Sequence, residues 1–285
     1  METPRPPNGP HSLPPIILLV VFVGGCSIFA RRPEPVPPPV PRSEVLSALH
    51  QRAEQFRTVY DTGISLVIEV QTNEGMKPQP TLGGVLAFDS RLPGLWLHTE
   101  KMTKKIFSLH ATADRFSLEL PDTCEMLIGG QQAYERLPHL IHPYEAMAWF
   151  GSPEWLGLND RATMAVEEND YRFDVSLSGL PVRSVFVDRR RVAISRIVDY
   201  SLLGDVRTDV LMNDYKKVKG IEFPHRLTVN RPQHGCRVQL KLGSPKFNKD
   251  LKAEVFQPKK LRPGWRQIDL DHEPLSSVKA FGAEE

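Results

Sequence analysis

The sequence predicts a mainly β protein with few helices: a strongly curved antiparallel half-barrel of about eleven strands covered by helices. Three observations carry this reading. Apolar and polar residues alternate with a period of two in run after run. The runs are short and separated by turn residues at a spacing of roughly ten, which suits antiparallel meanders and leaves no room for βαβ crossovers. Only two stretches have a helical character, one at the start of the domain and one in its middle. So large an antiparallel sheet must curl or split, and two helical segments are available to cover one face. A β-sandwich is the competing arrangement.

The elements follow in order. Ser43 is a candidate N-cap, with Glu44 in the first turn; Val45, Leu46, Leu49, Ala53, Phe56, Val59 and Tyr60 keep a helical period to Tyr60. From Gly63 the period becomes two, with Ile64, Leu66, Ile68 and Val70 on one face. Further strands are predicted at Leu82–Phe88, Leu95–Thr99, Ile106–Ala111, Phe116–Leu120 and Cys124–Ile128. Gly129-Gly130 ends this series. Leu137–Phe150 is apolar and punctuated by proline; Pro143 suits a first helical turn and Pro153 a stop, so a short helix or two is expected there. Strands resume at Ala162–Val166, Tyr171–Leu177, Val182–Val187, Ala193–Leu202, Val206–Tyr215, Ile221–Val229 and Val238–Leu242. Residues 264–285 are polar and aperiodic and are expected to be disordered.

Composition bounds the function. The net charge of +2 gives no global case for a nucleic-acid partner, and the 40% apolar content can support a core. Residues 1–25 carry the apolar run Ile16–Val23 followed by Gly24, Gly25 and Cys26. This resembles a bacterial lipoprotein signal, which ends in an aliphatic residue, two small residues and a cysteine. The resemblance implies removal of 1–25 and acylation of the Cys26 thiol by a lipid. Ser27 after the cysteine, where no aspartate would retain the protein, implies the outer membrane by the sorting logic of such lipoproteins. An uncleaved membrane helix is the alternative, because Ser12–Ala30 carries no charge. Residues 26–42 form a linker: six prolines in the thirteen residues Ala30–Arg42 exclude helix and sheet. A polyproline linker of that length spans up to ~40 Å.

Within 43–263 the order of elements resembles the LolA/LolB-like carriers of bacterial envelopes. Val198-Asp199-Tyr200-Ser201, Gly204, Asp214-Tyr215, Gly220-Ile221-Glu222-Phe223-Pro224 and Leu240-Lys241-Leu242 carry the likeness in the second half. Gly83-Gly84-Val85-Leu86 and Phe107-Ser108-Leu109 carry it in the first. The resemblance implies an apolar cavity for acyl chains, no catalysis and no cofactor. It also implies a hairpin with an exposed apolar residue that inserts into the membrane. Thr99–Lys105 matches that hairpin, with Met102 as the candidate in place of the leucine expected, flanked by Lys101, Lys104 and Lys105.

The implied function is a periplasm-facing, outer-membrane lipoprotein that binds acyl chains or lipoprotein anchors and assists their transport or insertion. The alternative is an envelope-assembly scaffold that binds a protein partner.

Chemistry-bearing patterns are sparse. Beyond Cys26, Cys124 and Cys236 could pair as a disulfide in an oxidising compartment or could remain two small buried thiols. His139 and His142 are three apart, but Pro138 and Pro143 oppose a helix that would align them on a metal. Asp269, Asp271 and His272 lie in the aperiodic tail, and Arg189-Arg190-Arg191 is expected at a hairpin tip. No nucleophile elbow, phosphate-binding glycine loop or metal-type cysteine spacing is present, so no enzyme and no metal site are expected.

Overall fold

A computed structural model describes residues 35–147, 152–218 and 220–275. The signal-like run and Cys26 lie outside the described residues. The chain runs through helix α1 (Arg42–Glu54) and strands β1 (Thr58–Thr72), β2 (Gly75–Pro78), β3 (Leu82–Asp89), β4 (Gly94–Lys101), β5 (Lys104–Ala111), β6 (Arg115–Leu120) and β7 (Glu125–Gly130). Three short helices follow, α2 (Gln131–Glu135), α3 (Pro143–Met147) and α4 (Pro153–Leu156). The chain then forms β8 (Thr163–Val166), β9 (Asp170–Leu177), β10 (Leu180–Asp188), β11 (Ala193–Tyr200), β12 (Val206–Val218), β13 (Ile221–Arg231), β14 (Cys236–Lys241), β15 (Lys246–Phe247) and β16 (Arg266–Asp269).

All the strands join one open, curved sheet of 16 strands, in the order β16-β7-β6-β5-β4-β3-β1-β14-β13-β12-β11-β10-β9-β8, with β2 and β15 also paired to β1. Fifteen-residue β1 is the central seam, pairing with β3 on one side and β14 on the other. The alternation predicted from sequence becomes two continuous apolar rows on the inner face. Leu127, Leu118, Leu109, Leu97 and Leu86 are successive register partners across β7 to β3. Phe173, Val185, Ile197, Val210, Val229, Val238 and Ile68 are the equivalent row from β9 to β1. Val45 and Leu49 of α1, and Tyr134, Leu140, Ile141, Ala146, Met147 and Leu156 of the α2–α4 region, share one core with these rows. Burying each such leucine contributes about 1.5–3 kcal/mol, so the helices are held chiefly by tertiary packing.

A mainly β fold built on one open curved sheet is therefore observed, with 16 strands where about eleven were expected. Strands β2, β15 and β16 had no predicted counterpart, being too short to show alternation, and β16 is parallel to its neighbour where an antiparallel sheet was expected. The first helix ends at Glu54, short of the expected Tyr60, and it starts at Arg42 with Pro41 at the cap position. Thr58, Val59 and Tyr60 are β-branched or aromatic, and they pair instead with Asp89, Phe88 and Ala87 of β3. Pro143 opens α3 as expected, but Pro153 opens α4 where a stop was expected. The tail expected to be disordered from residue 264 is ordered through Leu275, and residues 276–285 lie outside the described residues. Its strand β16 runs parallel to β7, and Ile268 and Leu270 are buried.

The outer face differs between the two halves. Across β9–β14 it is a polar ladder open to solvent, with Arg196 on Asp209, and Arg237 on Glu69 and Asn230. Across β4–β6 it is crossed by the segment after β15. There Phe256 packs over Gly94, Val255 O accepts from His110 Nδ1 at 2.7 Å, and Lys259 N donates to Ser117 Oγ at 3.1 Å.

Candidate functional site

Between the inner face of β9–β13 and the α2–α4 region lies a cavity of about 670 Å³. Leu137, Met147, Leu156, Val175, Val182 and Ile197 form its apolar wall. Its polar side carries Arg183 and Asp199, register partners on β10 and β11 whose side chains meet at 2.6 Å, together with Arg207, His142 and Tyr144. The lining is amphipathic, and the nearly buried Arg231 and Glu145 also belong to it.

One residue pins the cover to the sheet. Arg231, at the end of β13, continues the inward series Leu227, Val229 and points under the helices. Its Nη2 donates to Glu145 Oε1 at 2.5 Å, Glu145 Oε2 at 2.7 Å and Leu140 O at 3.0 Å, and its Nη1 donates to Pro138 O at 2.7 Å. Glu145 also accepts from His142 N at 2.7 Å, the reach-back half of a capping box at the start of α3. Burial pushes the Glu145 carboxyl above its ordinary range, and the Arg231 charge pulls against that shift. The same burial, with the neighbouring Glu145 charge, raises Tyr134 far above its usual value; its hydroxyl donates to Ile141 O at 2.5 Å.

His142 sits at the cover's edge, stacked on Tyr144 at 4.9 Å and edge-on to Tyr134 at 4.5 Å. Its Nδ1 accepts from Tyr144 N at 3.1 Å, which requires that nitrogen to be unprotonated. Burial, and then the Arg231 charge, depress its pKa to about 4.

The residues singled out from sequence fall as follows. Met102 forms the tip of the β4–β5 hairpin, 91% exposed and with φ +57°, between Lys101 and the pair Lys104 and Lys105. Cys124 and Cys236 are free thiols and form no disulfide: Cys124 lies exposed in the β6–β7 turn. Cys236 is buried on β14, where His139 Nδ1 approaches its sulfur at 3.1 Å. His139 thus faces a thiol while His142 faces two tyrosines, and the two histidines share no site. Asp271 accepts from Gly130 N, tying the ordered tail to β7. Arg189 donates to Glu167 O, Glu168 O and Pro37 O, which makes it a brace between the tip and its neighbours. Among the described residues, no group of three or more His, Cys, Asp and Glu side chains is placed to hold a metal ion.

The sequence reading missed Arg231, Glu145 and the Arg183–Asp199 pair. A signal existed for three of them: Arg231, Arg183 and Asp199 each hold the inward parity of an otherwise apolar strand. It also missed the mouth. The β9–β10 turn carries exposed Leu177 and Leu180, and the β11–β12 turn carries exposed Leu202 and Leu203, the last 90% exposed. Both turns lie at the same end of the sheet, because the start of β10 pairs with the end of β11, and Leu202 lines the cavity. By strand register the Met102 hairpin lies on this same edge.

No protein-family profile and no curated protein matches the chain. Solved structures do. A DUF1329 family protein from Desulfovibrio piger aligns with a TM-score of 0.53 and 10% identity, over 75% of this chain and 95% of that one. A putative outer membrane lipoprotein-sorting protein domain from Vibrio parahaemolyticus aligns at 0.49 and 12%, over 75% and 94%. A LolA superfamily protein from Nitrosomonas europaea aligns at 0.48 and 9%, over 74% and 97%. At 10% identity, the likeness to the Desulfovibrio piger protein is one of fold alone.

Proposed function

We propose that this protein is a non-catalytic, lipid-anchored envelope protein that holds an acyl chain, free or attached to a lipoprotein, in the cavity under its helices. One observation carries the reading: a concave apolar wall, roofed by short helices, opens at an edge where Leu177, Leu180, Leu202 and Leu203 stand in solvent. Ten methylenes buried on that wall contribute about 8 kcal/mol. The charged side then meets a polar head, with Arg183 and Arg207 nearest. Exposed leucines at the mouth let a chain pass from a bilayer to the wall with little contact with water. The Met102 hairpin, on the same edge and ringed by lysines, supplies a second contact with an anionic membrane surface.

Anchorage at Cys26 and passage to the outer membrane, facing the periplasm, complete the proposal and rest on the sequence of the signal-like run.

The experiment is titration with a fluorescent fatty acid, comparing the wild type with Val182→Trp. Val182 is half-buried on the cavity wall, so a large ring fills the cavity without entering the central core. Tight wild-type binding that weakens at least tenfold in the variant supports the proposal. Absence of wild-type binding, or equal affinity in the two proteins, refutes it.

A further inference from the structure

On the opposite face of the sheet, the segment that crosses β4–β6 encloses a groove of about 880 Å³, lined by Trp96, His98, Lys105, Ser108, His110, Glu119, Val255 and the run Lys259, Lys260 and Arg262. Strand parity explains the composition. Trp96 and His98 on β4, Ser108 and His110 on β5, and Glu119 on β6 are the outward residues between the inward leucines. A solvated outer face needs no aromatic rings at these positions.

The floor is a set of near-parallel rings. Trp96 lies 6.4 Å from His98 and 6.1 Å from His110, with interplanar angles of 26° and 24°. Its polar atoms are already used. Trp96 Nε1 donates to Ser108 Oγ at 3.3 Å, Ser108 Oγ lies 3.2 Å from His110 Nε2, and His110 Nδ1 donates to Val255 O at 2.7 Å. A carbonyl can only accept, so the His110 proton sits on Nδ1 and Nε2 accepts from the serine. This fixed chain leaves the ring faces as the surface on offer. Burial lowers the pKa of both His98 and His110, which keeps the floor uncharged at neutral pH.

The wall is cationic. Glu119 takes Lys105 at 2.6 Å and Arg262 at 2.9 Å on the same oxygen, and Arg262 also lies over Trp265 at 4.9 Å. Lys259 and Lys260 add two ammonium groups that form no ion pair with the described residues. One carboxylate therefore faces four cationic side chains. The groove does not depend on those two lysines for its shape, because Phe256, the His110–Val255 bond and the Lys259 N–Ser117 bond hold the segment down.

We propose that this groove is a second binding site, for a phosphorylated sugar, either free or displayed as a lipid headgroup. The ring floor matches the flat apolar face of a pyranose. His98, outside that chain, borders it with ring nitrogens for hydroxyls. The surplus cations match a phosphate dianion, which carries about −1.5 to −2 charges at pH 7, better than a single carboxylate. The site is independent of the acyl cavity, which lies on the other face.

The test is calorimetric titration of the full chain with glucose 6-phosphate, glucose and inorganic phosphate, repeated with the double variant K259Q/K260Q and with Trp96→Leu. A melting curve for each variant confirms that it is folded. The proposal expects glucose 6-phosphate to bind at least tenfold more tightly than glucose or inorganic phosphate. Each variant should weaken that binding at least tenfold, and in the wild type it should weaken with added salt. Phosphatidylcholine vesicles with and without a phosphoinositide, set against free inositol phosphate, separate a lipid-borne headgroup from a soluble ligand. Either source supports the proposal. It is overturned if neither glucose 6-phosphate nor the phosphoinositide vesicles bind. It is equally overturned if inorganic phosphate or polyglutamate binds as tightly as the sugar phosphate, or if K259Q/K260Q binds like the wild type.

Discussion

Replacing Arg231 by methionine removes four hydrogen bonds at one stroke: two to the Glu145 carboxylate, one to Leu140 O and one to Pro138 O. Both side chains are nearly buried, 10% exposed for Arg231 and 12% for Glu145, so water can replace little of what is lost. Breaking such a pair from one side costs about 3–5 kcal/mol, because an uncompensated charge stays behind. Removing Glu145 as well, in R231M/E145L, takes that charge away. It leaves two under-bonded carbonyls and the His142 N–H without its acceptor, and the cost falls to about 2–3 kcal/mol. Urea denaturation measures both values. The pH dependence gives an independent check. Without Arg231 the buried Glu145 carboxyl rises further above its unfolded value. The folded state then keeps a proton that the unfolded chain releases, and stability is lost as pH climbs above the ordinary carboxylate range. The single variant is therefore closer to wild type at pH 5 than at pH 8. A single variant within about 1 kcal/mol of wild type, or a double variant weaker than the single, would refute the assignment of Arg231 as the clamp on the cover.

Three further outcomes are expected. His142, depressed from 6.5 to about 4, holds stability that is complete above pH 6.5 and is lost as pH falls toward 4. The loss amounts to up to about 3 kcal/mol, and His142→Phe flattens that slope in denaturation profiles taken from pH 4 to pH 8. Met102→Gly relieves a left-handed backbone and raises stability by about 1 kcal/mol, yet it lowers binding to anionic vesicles in co-sedimentation; a loss of stability would show that the tip is held by contacts of the side chain. Cys26→Ala abolishes metabolic labelling of the protein with palmitate, whereas retained label would place the lipid elsewhere.

Strand alternation was legible wherever one face meets the core: Ile64–Val70, Tyr171–Leu177 and Val238–Leu242 all lie where the period of two placed them. It failed at strands that send only one side chain into the core, Phe247 and Ile268. Lys246–Phe247 pairs with Val59–Tyr60, and Arg266–Asp269 with Glu125–Ile128, and neither is long enough to show a period. The helix boundary at Glu54 was hidden because Phe56 and Val59 satisfy a helical period and a strand parity equally well. The cavity was legible only as an implication of the LolA/LolB-like resemblance, since the same Val and Ile residues serve a filled core and an open one. Its charged side had a local signal in Arg183, Asp199 and Arg231, polar residues at inward parity. The second groove had none: Phe256 read as a stray apolar residue until the fold lays the segment after β15 across the outer face of β4–β6.

The most direct measurement of the central claim is photo-crosslinking with a diazirine-bearing fatty acid, followed by mass-spectrometric mapping of the labelled residues. Labels on Val175, Val182, Ile197 or Met147, displaced by unlabelled palmitate, are the predicted result. Labels confined to the outer face, or no displaceable label at all, would contradict an acyl chain held beneath the helices.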